Sequence, residues 1–514
     1  MLGVERLTKH VKAPQADGGL LAEPPFPDYE RMVSENRRRL ALLAGEVGTL
    51  SWAEFRAQAR AELLGQSIPA DQPRLMAGHQ PELFHPGVWA KNFVLAGQAK
   101  RLGANAVNLI VDNDTFKHRV LSLPMASTNP QNVELESTPF DVSAPELPYE
   151  EAFPRDWAAL ESWPDKLRPI TDTWNFQPMV FAAWPRIVGC LKTGVSYTRA
   201  FVSARQYWER KWGGGTPEVA VSQVASHDSF SRFCWQLMVD AKKFATVYNN
   251  AIVDYRSANG IKSKNHPAPE LLISGDMVET PFWIWRLSDP TRRRVFVRVS
   301  SQAIKVFAGN TELAMTLSPQ DESTRGIIHN SGWKLRPRAL TLTLYSRLAL
   351  ADLFIHGIGG GKYDEVTDEI IRRYFGIEPP EYAVVSATIR LPLDRFAADG
   401  ETLRSQQRLI RNLTWNPQYF DEARRAAPAL ADAKWKIALD RPNDRKARRE
   451  WFRTLADLTA RMRPATAPLS TTAAEKLAAI AAELDANAVL GRRDFSWVFY
   501  PESLLEERFR PLLG

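Results

Sequence analysis

Three short segments hold residues whose types and spacing could do chemistry. The first is Gly78-His79-Gln80, with His85 six residues beyond His79. A glycine lets a ligand approach the backbone with no Cβ in the way. A histidine there can donate to a phosphate or exchange a proton near neutral pH. The second is Asp112-Asn113-Asp114, with His118 four residues on. Two carboxylates at that spacing suit an amine, a sugar hydroxyl or a hydrated magnesium ion. The third is Gly357-Ile358-Gly359-Gly360-Gly361, followed by Lys362-Tyr363-Asp364-Glu365. It is neither a Walker A loop nor a full dinucleotide fingerprint. It does precede a helix start, where free N–H groups and the helix dipole favour an anion. Each segment also has a plainer reading: an exposed turn histidine, a polar turn closed by Asx hydrogen bonds, and a tight turn with an acidic cap.

The elements that would position these segments follow from periodicity. Arg74 to Ala77 is a short apolar run leading into Gly78. A helix is expected from about Val88 to Leu102, with Trp89, Phe93 and Ala96 on one face and Gly103 as its stop. Ala106 to Val111 is a β-rich run that ends at the acidic segment. Strand, turn, helix and strand make one βαβ unit. Both of the first two segments then sit at carboxyl ends of neighbouring parallel strands and face one crevice.

The rest of the chain reads more coarsely. Tyr29 to Leu64 reads as one helix ending at Gly65-Gln66-Ser67. Phe282-Trp283-Ile284-Trp285 and Arg292 to Val299 read as a hairpin, with Asp289-Pro290 in its turn. Leu335-Arg336-Pro337-Arg338 should precede an apolar helix running to about Phe354. The next helix carries Val366, Ile370, Ile371 and Tyr374 on one face, closed by Gly376 and Pro379-Pro380. Beyond Asp399 the pattern is helical, with a stripe at Trp451, Leu455, Leu458 and Met462. Thr472 to Glu475 has capping-box form ahead of Leu477, Ile480 and Leu484, and Phe495 to Tyr500 looks β-like. The second stripe could pack within the chain or join two copies as a homodimer.

The 514 residues, about three domains' worth, divide most naturally at 1–127, 128–299, 300–398 and 399–514. With 44% hydrophobic and 24% charged residues, a mostly disordered chain is excluded. No apolar run reaches the roughly 20 residues of a membrane-spanning helix, and Met1 to Arg6 lacks the apolar run of a secretory leader. Two cysteines, Cys190 and Cys234, exclude a disulfide framework and a cysteine-rich zinc site, so a cytoplasmic location is expected. A net charge of +7 suits an anionic ligand and is spread along the chain, so nucleic acid is not the expected partner. Lys262-Ser263-Lys264 resembles part of the Lys-Met-Ser-Lys-Ser signature of class I synthetases, and reads as a surface loop.

Taken together and in order, several segments resemble one family. Met76-Ala77-Gly78-His79-Gln80-Pro81-Glu82-Leu83-Phe84-His85-Pro86 is similar to the Thr-Gly-Gln-Gln-x-x-Leu-x-x-Gly-Pro segment of the bacillithiol biosynthesis cysteine-adding enzymes (putative cysteine ligases). Asp112-Asn113-Asp114-Thr115-Phe116 resembles their Glu-Asp-His-Asp-Phe. Leu335-Arg336-Pro337, Ile358-Gly359-Gly360-Gly361 and Phe375-Gly376-Ile377-Glu378-Pro379-Pro380 resemble later segments in the same order. The resemblance implies an α/β fold: a Rossmann-like nucleotidyltransferase core, an inserted connective domain and a C-terminal α-helical coiled coil. It implies a ligase that joins an amino acid to an amine-bearing, sugar-like acceptor, with ATP or another nucleotide and magnesium involved. His79, Asp112 and Asp114 would be catalytic. Gly78, Gln80 and His85 would bind substrate or nucleotide, and Arg336, Gly359, Gly360, Gly361 and Tyr363 would form the other wall. No residue is assigned as a resident metal ligand. The family's Gln-Gln is His79-Gln80 here, and its central acidic-motif histidine is Asn113, which changes proton-transfer capacity at both places. An enzyme that transfers a nucleotidyl group to another acceptor, or a non-catalytic nucleic-acid-binding scaffold, are the alternatives on the same fold.

Overall fold

Short apolar strands alternate with amphipathic helices where the motifs lie, and burying both kinds of apolar face produces a layered α/β core. The computed structural model describes residues 11–514 except 66–68, 70–71 and 144. The leader reading at the N-terminus and most of the Gly65-Gln66-Ser67 turn therefore lie outside the described residues. The main sheet contains β1 (Gly19–Glu23), β2 (Arg74–His79), β3 (Asn105–Ile110), β4 (Glu218–Ala220), β5 (Leu353–His356) and β6 (Tyr382–Thr388). Their spatial order is β1-β6-β5-β2-β3-β4. β2 to β6 are mutually parallel, and β1 runs antiparallel along the β6 edge. From β2 the chain steps outward to β3 and β4, then returns to the other side of β2 for β5 and β6. The order thus reverses between β2 and β5, the place in open α/β sheets where a crevice opens beyond the strand ends.

Helices cover both faces of the sheet. α1 (Tyr29–Leu40) and α2 (Pro86–Arg101) bury Met32, Val33, Val94 and Leu95 against Leu75, Ala77, Ile355 and Val385. On the other face Met76, Val107, Leu109 and Phe354 join a larger core with Val366 and Ile370 of α3 (Ile358–Ile370) and with the helices Asp228–Val239 and Ala241–Asn259. A second, antiparallel sheet follows, and its strand Met277–Arg286 pairs with both Asp289–Val299 and Trp333–Pro337. The expected hairpin is present, with its turn at Leu287-Ser288 and Asp289 already paired with Arg286.

Several expected elements are different. Tyr29–Leu64 is two helices: Gly48 sits at φ +64° in a tight hairpin between them, and Ser51 with Glu54 caps the second. The apolar segment after Pro337 turns helical at Ala339, but its end, Leu353–His356, is the buried strand β5. The apolar run Leu353-Phe354-Ile355 that opens it has no alternation to mark it as a strand. Arg445–Leu490 is one 46-residue helix running through Pro464 and Pro468, so Thr472 caps nothing. It packs on Gly400–Trp415, and Gln406 donates to the Ala473 carbonyl at 2.8 Å. Ile480 is buried within the chain. Residues 495–500 are a buried segment with one 3-10 turn instead of a strand. Among the described residues no helix is long and apolar enough to cross a membrane, and both cysteines are free thiols.

Candidate functional site

The carboxyl ends of β3, β2 and β5 lie side by side, and each delivers one of the three segments. The β2–β3 register pairs Gly78 with Leu109 and His79 with Ile110, and the Val111 N–H extends it to the His79 carbonyl at 2.9 Å. On the other side β5 pairs Ile355 with Ala77, so His356 comes beside Gly78. Packing is close at Gly78: a Cβ there would lie 3.2 Å from the Leu109 Cβ, which would have to give by a few tenths of an ångström.

His79 is half-buried, with its ring edge-on to Phe84 at 5.3 Å between centroids. Its Nδ1 lies 3.2 Å from the Gln80 carbonyl, so Nδ1 donates and Nε2 is left as the acceptor. Burial, and then the nearby Lys91 charge, lower its pKa to about 3, so the ring is neutral at pH 7. Gln80 donates to Asp114 at 3.1 Å, which ties the first segment to the second. His85 caps α2, its Nδ1 accepting the Gly87 N–H at 3.1 Å. That cap explains its spacing from His79 without a ligand.

The acidic turn is held from three sides. Asp112 is buried, and its carboxylate accepts the N–H and hydroxyl of Ser222. Burial, then Glu150, raises its pKa to about 6 against the opposing pull of Ser222 and Arg336. Asn113 donates to the Pro337 carbonyl at 2.8 Å, and Arg292 reaches Asp114 at 3.2 Å. Both partners belong to the second sheet, which thus docks on this turn. Arg336 lies here too, and not on the glycine side expected from sequence. Its guanidinium is buried and forked onto Glu150, with both contacts at 2.8 Å. That fork is not free for a ligand carboxylate.

Beside Gln80 and Asp114 opens a cleft of about 330 Å³, also lined by Glu82, Phe116, His118 and Tyr149. The volume is within the range of small-ligand pockets. Tyr149 donates to Glu82 at 3.0 Å, and burial raises the Glu82 pKa. The lining combines aromatic walls with Lys117 and two carboxylates, of which Asp114 already pairs with Arg292, so the cleft presents polar groups of both signs.

The glycines open α3 instead of preceding it, since the helix starts at Ile358 with Gly357 as its N-cap. Gly357 and Gly359 face open space, whereas a Cβ on Gly361 would strike Val384 at 2.5 Å. Tyr382 donates to the Gly361 carbonyl at 2.8 Å. Gly361 is therefore a packing residue, while Gly359 leaves the first turn of α3 uncovered. Tyr363 is partly exposed and packs edge-on to His266 at 5.3 Å, which places the Lys262-Ser263-Lys264 loop near this helix start.

Sequence reasoning missed the groups beneath the glycines. His356 is buried and bonds Asp364 at 2.9 Å, and Asp364 accepts from Arg347 at 2.7 Å. Burial opposes charge on Asp364, but Arg347 and His356 outweigh it and hold the carboxyl well below the usual range. Lys91 of α2 is 1% exposed and donates to the Gly78 carbonyl at 2.6 Å. Burial, then Arg205, lowers its pKa to about 7. A signal was present for both: a histidine ending an apolar run just before the glycines, and a lysine inside an apolar helix. Among the described residues no group of three or more His, Cys, Asp or Glu side chains is arranged to hold a metal ion. No family model matches the chain, and no curated protein matches it.

Proposed function

We propose that the chain is a ligase-like enzyme with a Rossmann-like, nucleotide-binding core, joining an amino acid to an amine-bearing, sugar-like acceptor. One observation carries the reading. Segments more than 200 residues apart in sequence meet at the carboxyl ends of β3, β2 and β5, where the strand order reverses. The same segments carry the resemblance to the cysteine-adding enzymes of bacillithiol synthesis. The glycines of α3 leave room for a nucleotide's phosphates, which the helix N-terminus favours. ATP or another nucleotide would supply the activation that amide formation from a free carboxylate needs.

The acceptor belongs in the cleft beside Asp114. Asp114 and Glu82 attract its ammonium, and Glu82, with its raised pKa, is the group suited to take the proton the amine must lose. Neutral His79 presents its Nε2 as a hydrogen-bond acceptor for a substrate N–H or O–H. Asp112 positions the turn through Ser222, and Arg336 supports it through Glu150. A magnesium ion would come bound to the nucleotide's phosphates.

A nucleotidyl-transferring enzyme acting on another acceptor is the second reading. It is favoured by Asn113, whose amide is committed to the Pro337 carbonyl at the family's histidine position. Nucleotide turnover measured with an amine acceptor and with its N-acetylated form separates the two. Amide-forming activity requires turnover with the free amine alone. Equal turnover with both, or none, would overturn the ligase reading.

A further inference from the structure

The cations are scattered along the chain, but the carboxylates that balance them are not. Residues 404–463 hold 15 Lys and Arg against 7 Asp and Glu, a net charge of +8. The whole chain has 66 against 59, which leaves 51 against 52 for the other 454 residues. The net charge therefore lies on one helical arm. There the helices Asp421–Ala426 and Pro428–Leu439 pack on Arg445–Leu490, around a small core of Ala423, Ala431, Leu458 and Met462. The long helix meets the rest of the protein near its other end, where Ala486 and Leu490 pack against Val133 and Leu393.

The charge is also ordered. Arg404, Arg408 and Arg411 recur at i, i+4 and i+7 on the helix Gly400–Trp415, and Trp415 at i+11 ends the same row. That row lies opposite the buried Gln406 and Leu413. Arg445, Arg449 and Arg453 make a second row at i, i+4 and i+8 on the long helix, away from the buried Leu458 and Met462. All six arginines are exposed. Like charges at this spacing repel. Among the described residues of 404–463 the ion pairs are Arg424 with Asp421 and Arg461 with Asp457, both 3.6 Å and exposed, so neither row is neutralised.

Aromatic rings stand among these cations. Trp157, Trp415 and Trp435 are the exposed tryptophans among the described residues, and two of them are here. Trp435 packs on the exposed Tyr419, with centroids 5.2 Å apart. Lys434 donates to the Trp415 carbonyl, which brings Trp415 to the same end of the arm, and Arg463 lies over its ring at 5.4 Å. Flat rings between unpaired guanidiniums match the bases and phosphates of an unpaired strand. A membrane surface fits less well. A helix lying in a bilayer interface turns a continuous apolar face outward, whereas here the apolar faces pack on one another and the exposed rings alternate with arginines.

We propose that this arm is a docking surface for single-stranded nucleic acid. The arginine rows follow the phosphates, and Trp415, Tyr419 and Trp435 stack on bases. This function is separate from the ligase reading, whose site lies at the strand ends, and neither depends on the other.

The test is fluorescence anisotropy of a labelled oligouridylate titrated with the full chain over a series of salt concentrations. Wild type is compared with the triple variant Arg445→Gln, Arg449→Gln, Arg453→Gln, with the corresponding triple Lys variant, and with Trp435→Ala. Each phosphate contact on a single strand contributes about 0.7 to the slope of log affinity against log salt, so the Gln variant should flatten it by about 2. Its affinity should fall at least about tenfold. The Lys variant should keep the slope, which separates lost charge from lost folding. Trp435→Ala should lose about fivefold or more with the slope unchanged. No binding of oligouridylate, or equal slope and affinity in wild type and the Gln variant, overturns the proposal. So does a length-matched RNA duplex bound as tightly as the single strand, because paired bases cannot stack on the rings. Binding of phosphatidylserine vesicles in place of oligouridylate also overturns it and assigns the arm to a membrane surface.

Discussion

Replacing Asp112 with Asn should make the protein more stable at alkaline pH. The unfolded chain ionises this residue near 3.8, the folded chain near 6. Between those values the native state keeps a proton that the unfolded state has released. The stability tied to this group is therefore full below pH 3.8 and is lost as pH rises through 6. At about 1.36 kcal/mol per pH unit, charge on Asp112 costs about 3 kcal/mol at pH 8 and roughly half that at pH 5. Asp112 is 2% exposed, so solvent screening does not reduce this much. An Asn side chain can keep both Ser222 contacts, its oxygen accepting the N–H and its amide donating to the hydroxyl. Thermal unfolding should show Asp112→Asn melting about 3 °C above wild type at pH 8 for a 514-residue chain unfolding as one unit. The gain should shrink toward pH 4. A loss of stability at pH 8, or a difference that does not change with pH, would refute the assignment of Asp112 as a buried, strained carboxylate.

Three further outcomes follow from the packing. Glu150→Ala leaves the Arg336 guanidinium buried without its carboxylate and should cost about 3–5 kcal/mol, read by chemical denaturation. Gly87→Ala would place a Cβ 2.2 Å from the Ala387 carbonyl, so α2 must shift off β6; a loss of about 1–3 kcal/mol or more is expected in the same assay. Gly359→Val meets open space, so the fold should melt within about 1 °C of wild type, yet its side chain covers the first turn of α3 and should weaken ATP binding about tenfold or more by calorimetry.

How much was legible in the sequence depended on whether local pattern and tertiary context agreed. β2, α2 and β3 were readable because an apolar run, a helical stripe with a glycine stop and a second apolar run follow one another in a short span. Gly376 ends its helix at φ +72°, as its position suggested. β5 was hidden because Leu353-Phe354-Ile355 is buried on both faces and continues an apolar helix without a break in composition. The 46-residue helix was cut short on paper at a capping signal that packing against Gly400–Trp415 overrides. At the site, Gly78, His79, Gln80 and the two aspartates were identified by residue type. Their partners were not, because Ser222, Glu150 and Arg292 arrive from segments 36 or more residues away. Arg336 was expected on the glycine wall with a free fork; it lies beside the acidic turn instead, where Glu150 occupies the fork.

The ligase reading is tested most directly by a condensation reaction followed by mass spectrometry. Purified protein is incubated with cysteine, glucosaminyl-malate, ATP and magnesium, beside the His79→Ala variant. The account predicts a product at the summed mass of the two substrates less one water, formed by wild type and not by the folded variant. Nucleotide binding with no condensation product in either sample would contradict it and assign the site to another acceptor.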